Sequence, residues 1–112
     1  MSKKKFLRSC APWVLATLSA AAEVRFGTKD NEWSRDIAEA AQVRKGRKMG
    51  FYLPDAKYVP SWGLRALAEK AGKRMIAHPA DSVIRSNLLT EFERRRAARR
   101  AKEAEESKGA LV

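Results

Sequence analysis

Residues 44–62 read RKGRKMGFYLPDAKYVPSW, with segments patterned as helices on both sides. Four cations occupy the first five positions. Pro54 and Pro60 prevent a continuous helix, because proline lacks the amide donor and clashes with the preceding turn. Gly46 and Gly50 permit backbone conformations and close approaches that other residues resist. A cationic loop that opens onto aromatic rings suits phosphates and bases, while a solvated basic loop beside a small aromatic core is the other interpretation.

Charge is unevenly distributed along the 112 residues, which are enough for one domain with a small core. Lys and Arg number 24 against 13 Asp and Glu, so the formal net charge is +11. Residues 1–48 hold 11 cations and 5 acids, residues 49–93 hold 6 and 5, and residues 94–112 hold 7 and 3. A nearly neutral centre with basic ends predicts a small body with charged arms. Nucleic acid is the leading partner for such arms, and an anionic membrane surface is the second.

The sequence offers little material for catalysis. Cys10 is the only cysteine and His78 the only histidine, which excludes an intrachain disulfide and a cysteine-cluster zinc site. We expect Cys10 to act as a small apolar residue and His78 to be structural. The sequence contains no P-loop, dinucleotide fingerprint or nucleophile elbow. We therefore predict a non-enzyme with no catalytic residue, cofactor, metal or small-molecule substrate.

The N-terminal 29 residues are patterned like a targeting segment. A basic start precedes an uncharged run, residues 9–22, that is too short to span a bilayer. This pattern fits a signal peptide and, nearly as well, a mitochondrial presequence. We interpret residues 1–29 as a presequence-like arm with an apolar helix between Pro12 and Gly27. A helix that is apolar nearly all round should be buried, in a partner or at a bilayer interface.

Residues 30–93 are predicted to form a small irregular body of short helices. A helix over 32–44 follows a capping residue, Asp30 or Asn31. Ser61 is expected to cap a helix over 62–71, which Gly72 would end.

The connections within this body are expected to be extended. The runs 51–53 and 57–59 favour β structure and could pair as a short hairpin, or could form irregular extended chain. Residues 75–77 are expected to be a further extended piece.

The last helix is predicted to start at Asp81 or Ser82. Its apolar stripe comprises Ile84, Leu88, Leu89 and Phe92. Beyond it, residues 94–112 form a charged helical extension rich in arginine, whose planar fork suits phosphate. A purely solvated extension is the alternative. The predicted fold class is therefore mainly α: short helices around an extended glycine, proline and aromatic loop, with a long basic C-terminal helix.

Parts of residues 44–62 resemble a known protein family. Residues 45–47 (KGR), 50–51 (GF) and 57–59 (KYV) are similar to small basic mitochondrial ribosomal proteins, in particular the large-subunit family numbered forty-one. The resemblance implies a non-catalytic subunit that contacts ribosomal RNA and neighbouring ribosomal proteins.

These observations predict a structural subunit of a mitochondrial ribosome, located in the matrix. The alternative is an accessory subunit of an inner-membrane respiratory or ATP-synthase complex, and only this alternative implies membrane contact. The predicted RNA contacts are Lys3, Lys4, Lys5, Arg8, Arg44, Lys45, Arg47, Lys48, Phe51, Tyr52, Arg94, Arg95, Arg96, Arg99, Arg100 and Lys102.

Overall fold

The computed structural model describes residues 2–43 and 56–110, and these ranges are almost entirely helical. The elements are α1 (Lys3–Ser9), α2 (Pro12–Phe26), α3 (Glu32–Val43), a 3-10 turn (Ala56–Tyr58), α4 (Ser61–Arg74) and α5 (Asp81–Ala110). No strand occurs within the described ranges. The prediction of a mainly α fold with a long C-terminal helix is confirmed.

Helix α2 is the central element, packed between α3 and α4. It begins with Pro12 at its first position and ends at Gly27, whose φ of 72° is the left-handed conformation that favours glycine. Both bounds match the sequence prediction. Leu15 and Leu18 are buried in the core as expected, whereas Trp13 is only half-buried.

The basic start of the chain forms a helix, α1, that was not predicted. The Ser2 hydroxyl caps this helix by accepting a hydrogen bond from the Lys5 amide at 3.2 Å. Phe6 and Leu7 are fully buried, and they belong to the same hydrophobic cluster as Leu18. Helix α1 therefore contributes directly to the core that α2 and α4 share.

Helix α4 approaches α2 closely at Gly63. A Cβ atom at this position would lie 2.7 Å from Cδ2 of the buried Leu18, so only glycine permits this spacing without a shift. The prediction that Ser61 caps the helix is wrong, because Ser61 is already helical and Pro60 occupies the cap position. The Ser61 hydroxyl instead accepts a hydrogen bond from the Arg95 guanidinium at 3.1 Å.

The end of α4 also differs from its prediction. The helix passes through Gly72, which keeps a right-handed conformation, and ends at Arg74. Packing of α4 along α5, where Gly72 lies against the Arg85 side chain, favours this longer helix. Residues 75–77 form a turn, so the expected extended piece is wrong. The Arg74 guanidinium donates to the Asp81 carboxylate at 2.9 Å, which links the end of α4 to the start of α5.

The predicted β-favouring run over 57–59 is also wrong at its start, because Ala56–Tyr58 is a 3-10 turn. Val59 follows this turn and is buried in the core. Burial of the Val59 side chain, rather than pairing with a second strand, thus attaches this turn to the core. The other half of the proposed hairpin, residues 51–53, lies outside the described ranges.

Helix α5 packs against α4 and the 3-10 turn along its first half. Ile84 and Leu88 are buried as predicted, but Leu89 is 39% exposed and Phe92 41% exposed, whereas the Glu91 side chain is only 6% exposed. The predicted apolar stripe is therefore wrong at its end. The buried face follows the spacing Ile84, Leu88, Glu91 and Arg95, because these positions share the side of the helix that faces the body.

The second half of α5 projects from the body. A helix of 30 residues is about 45 Å long, and the whole molecule measures 61 × 34 × 25 Å. Residues 96–109 are all exposed. We call residues 96–110 the α5 extension.

Candidate nucleic-acid interface

The base of the α5 extension is held by a buried carboxylate, Glu91. Arg94 Nε lies 2.7 Å from Glu91 Oε2, and Arg94 Nη2 lies 2.7 Å from Oε1, so the pair is bidentate. Arg95 Nε is 3.6 Å from the same carboxylate. Two of the five arginines between positions 94 and 100 thus belong to an ion cluster within α5.

Arg95 also joins α5 to the 3-10 turn. Its guanidinium donates to the Lys57 carbonyl at 3.0 Å and to the Ala56 carbonyl at 3.4 Å, as well as to Ser61. Only 20% of the Arg95 side chain is exposed. Arg95, predicted to contact RNA, is therefore placed in an intramolecular clamp that fixes the direction of the extension.

We expect Glu91→Gln to destabilise the protein by about 1–2 kcal/mol near neutral pH, because the arginines lose a charged acceptor while exposure of Arg94 weakens the pair. Hydrogen bonds from Arg94 lower the pKa of Glu91 below its ordinary value of 4.5, although burial opposes this change. A lowered folded-state pKa stabilises the protein above the unfolded-state pKa, and this stabilisation is lost as pH falls through the folded-state value. The difference between wild type and Glu91→Gln should therefore shrink below about pH 4.5.

Urea unfolding followed by helical circular dichroism at pH 7 and pH 3 measures this difference. The matched control is Glu93→Gln, since Glu93 is exposed and lies 3.8 Å from Arg96. This control should change stability by less than about 0.5 kcal/mol. A destabilisation of Glu91→Gln that is equal at both pH values would contradict the buried-carboxylate interpretation.

Beyond Arg95, the cations of the α5 extension face solvent. Arg96 is 3.8 Å from Glu93, whereas Arg99, Arg100 and Lys102 make no ion pair with another described residue. With about 100° of rotation per residue, Arg96, Arg99 and Arg100 fall within an arc of about 100°. The opposite side carries Ala98, Ala101 and Glu105, while Glu103 lies on the same side as the three arginines, one turn beyond Arg99. The extension therefore presents one cationic face that the body leaves free.

Most of the predicted N-terminal RNA contacts form ion pairs within the chain. Lys3 Nζ lies 2.7 Å from Glu32 and 2.8 Å from Asp36. Burial disfavours the charged form of Lys3, but its hydrogen bonds to Asp36 and Glu32 outweigh this and raise its pKa. Lys4 and Arg8 pair with Glu39 at 3.8 and 3.3 Å. These three cations join α1 to α3, and of the four N-terminal cations predicted to contact RNA, only Lys5 is exposed without an ion pair among the described residues.

The remaining predicted contacts are Arg44, Lys45, Arg47, Lys48, Phe51 and Tyr52, and they lie outside the described residues. The description resumes at Ala56, whose carbonyl receives the Arg95 guanidinium.

A second cationic surface was not predicted. A shallow surface between α2 and α4 contains two adjacent depressions, of about 370 and 460 Å³, that share the lining residues Ala66 and Glu69. We call it the α2/α4 groove. Trp62 lines one end and Trp13 the other. Its cations are Arg25, Arg65, Lys70, Lys73 and Arg74.

The sequence contained a partial signal for this groove. Trp62, Arg65 and Glu69 are spaced by three and four residues, which places them on one face of a helix. That spacing shows a shared face on α4, but it contains no information about which face of α2 lies beside it. The groove depends on two helices and could not be read from either one.

Two features are absent from the part of the chain that the structure describes. Within residues 2–43 and 56–110, no group of three or more His, Cys, Asp and Glu side chains is arranged to hold a metal ion. No helix in the same ranges is both long enough and apolar enough to cross a membrane. The single histidine, His78, is exposed, and Cys10 is buried with its thiol donating to the Phe6 carbonyl at 3.3 Å.

No protein-family model matches the sequence, and neither a curated protein nor a solved structure shows detectable similarity to it.

Proposed function

We propose that the chain is a structural, RNA-binding subunit of a mitochondrial ribosome. In this proposal the α5 extension contacts the phosphate backbone of ribosomal RNA, while the helical body contacts neighbouring ribosomal proteins. The observation that carries the proposal is the cationic face formed by Arg96, Arg99 and Arg100, on a helical segment that projects beyond the body. The particle and its compartment rest on the sequence resemblance and the charge distribution.

The physical chemistry of the extension favours a polyanionic partner. An isolated helix of about 15 residues is marginal in water, and residues 96–109 are exposed to solvent without tertiary packing. Arginine offers several donors in a rigid fork that matches phosphate oxygens. Binding of a phosphate backbone would neutralise the repulsion among these cations and stabilise the helix. RNA contact would therefore account for three arginines on a face of the α5 extension that packs against no described part of the body.

The test is the salt dependence of RNA binding by the full chain. We expect Arg96→Gln, Arg99→Gln and Arg100→Gln together to weaken binding to a duplex RNA and to lower the slope of log K against log salt by about 2–3, since each phosphate contact contributes roughly 0.7–0.9. Fluorescence anisotropy of a labelled RNA between low and moderate salt measures both quantities.

A charge-matched control separates a local contact from net charge. Lys29→Gln, Arg35→Gln and Arg85→Gln remove the same three charges from exposed positions on the body. This control should change the slope by less than about 1. Equal effects of the two triple variants would contradict a specific role for the α5 extension. Co-sedimentation of the full chain with mitochondrial ribosomal particles tests the assignment of the particle.

The alternative, an accessory subunit of an inner-membrane complex, receives no specific support. It required α2 to present its apolar surface to membrane proteins or lipid headgroups. Val14, Leu15 and Leu18 instead pack into the core of the chain itself. The apolar side chains that suggested a membrane partner are thus explained by the fold.

A further inference from the structure

The α2/α4 groove combines aromatic rings with cations along a narrow floor of small residues. Helices α2 and α4 run antiparallel, because Trp62 at the start of α4 lines the same depression as Val24 near the end of α2. Trp13, at the start of α2, lines the other depression with Lys73. At about 1.5 Å per residue, Trp13 and Val24 lie roughly 16 Å apart along α2. The groove therefore has an aromatic ring at each end and alanines between them.

We propose that the α2/α4 groove binds a short segment of single-stranded RNA, with bases against Trp62 and against the Arg74–Trp13 pair, and with phosphates on the cations along its length. This inference rests on the proposed RNA-binding function, but it concerns a different surface and a different form of RNA. The α5 extension would contact the phosphate backbone, and the groove would contact unpaired bases.

The Trp62 ring is held in a fixed orientation. The Phe26 ring lies 5.8 Å from it at an interplanar angle of 76°, and the Trp33 ring lies 5.3 Å away at 88°. Such edge-to-face contacts are favourable for aromatic pairs. Two neighbours thus orient Trp62 while it still lines the groove. A pre-oriented ring loses little conformational freedom when a base stacks on it, and every base has a face that can stack.

The other end of the groove is built around Trp13. The Arg74 guanidinium lies 4.9 Å from the Trp13 ring centroid, and Asp81 holds Arg74 at 2.9 Å. Because the guanidinium lies over one face of the Trp13 ring, a base would stack on the guanidinium plane, with the ring on its other side. The Trp13 end therefore provides the same two chemical elements as the Trp62 end.

The charges within the groove favour an anionic ligand. Lys70 and Lys73 are exposed and make no ion pair with other described residues. Glu69 is the one carboxylate among the lining residues of the two depressions, and it lies 3.6 Å from Arg65. Arg25 lies 5.6 Å from the Phe26 ring, at the Trp62 end. After the Arg65–Glu69 pair is set aside, the groove retains an excess of positive charge.

A single strand fits this surface better than a lipid bilayer does. A bilayer would need several apolar side chains that project past the cations, as in helices that lie in the interface. Among the large aliphatic side chains of the groove, Val24 alone is strongly exposed, at 85%. The alanines of the floor leave room instead for flat groups between the rims.

Intrinsic tryptophan fluorescence tests the proposal directly, because the three tryptophans are Trp13, Trp33 and Trp62. In a full chain carrying Trp33→Phe, a single-stranded RNA hexamer of adenylate should quench the emission saturably. Lys70→Glu with Lys73→Glu should raise the Kd for this hexamer about tenfold or more, since two contacts become repulsive. Trp62→Leu should weaken binding by roughly 5- to 100-fold through lost stacking.

The matched control is Lys29→Glu with Arg35→Glu, which makes the same charge change on exposed positions outside the groove. It should alter the hexamer Kd by less than about threefold. If Trp62→Leu fails to fold, the variant Lys70→Glu with Lys73→Glu still tests the proposal, because both lysines are exposed. Circular dichroism of each variant confirms that its helices are intact.

The outcomes separate this inference from the proposed function. If the hexamer binds without quenching, and the groove and control variants behave alike while the α5 triple variant weakens binding, the groove assignment is overturned and the proposed function stands. If neither duplex nor single-stranded RNA binds, both are overturned. If phosphatidylserine vesicles shift the emission to the blue and the hexamer has no effect, the groove is a membrane surface and the inference is wrong.

Discussion

Truncation of Phe6 to alanine should lower the free energy of unfolding by about 3–5 kcal/mol, the range for loss of a fully buried phenylalanine. Phe6 is completely buried, and its ring lies 6.1 Å from that of Tyr58 in the 3-10 turn. Helix α1 has only seven residues, which is too short to be stable alone in water. Its position depends on Phe6 and Leu7 in the shared core. Loss of the Phe6 ring should therefore weaken the packing of both α1 and the 3-10 turn.

Urea denaturation followed by circular dichroism at 222 nm, a standard helical signal, measures this loss. Lys5→Ala is the control on the same helix, because the Lys5 side chain is exposed and its removal should change stability by about 0.5 kcal/mol or less. If Phe6→Ala were as mild as Lys5→Ala, α1 would not be part of the core. That result would restore the expectation of a loosely attached basic arm.

The second large effect is expected at Leu88, where alanine should cost about 2–5 kcal/mol. Leu88 is fully buried between α5 and α4, whereas Phe92 is partly exposed on an open groove with Leu89 and Ile76. Phe92→Ala should cost only about 1 kcal/mol, because much of its ring remains in contact with water in the folded state. The predicted apolar stripe treats Phe92 as a packed position, where truncation to alanine would cost about 3–5 kcal/mol.

The two variants form a matched pair, since both shorten an apolar side chain on the same helix one turn apart. Unfolding in urea gives the two free energies under identical conditions. A greater loss for Phe92→Ala than for Leu88→Ala would mean that α5 is rotated toward the predicted stripe. Glu91 would then move out of its buried position, and the acid-dependent difference expected for Glu91→Gln would disappear with it.

Local sequence signals determined where several helices begin and end. Proline fixes φ and lacks an amide donor, so Pro12 starts α2, while the left-handed conformation of Gly27 ends it. Asn31 caps α3 by accepting a hydrogen bond from the Ser34 amide at 2.8 Å. The predicted start of α5 at Asp81 is likewise confirmed. Each signal acts within one turn of the helix, so the sequence was sufficient to read it.

The sequence predicted that arginines form the candidate interface, but not which of them bind within the protein and which face solvent. The sequence placed five arginines in the last helix without distinguishing the clamp residue Arg95 from the exposed Arg99. The distinction depends on which side of α5 meets the carbonyls of the 3-10 turn, 38 and 39 residues earlier in the chain. The α2/α4 groove has the same origin, because its aromatic and cationic residues come from separate helices.

What the sequence by itself determined was therefore the helical class, the bounds of α2 and the starts of α3 and α5. Only the tertiary structure decided that Glu91 is buried and Phe92 exposed, that Gly72 lies within α4, and that Phe6 and Leu7 of α1 fold into the core. The physical reason is the range of the interactions. Proline geometry, glycine conformation and capping hydrogen bonds act between near neighbours, whereas burial of a helix face is decided by distant residues that compete to cover it.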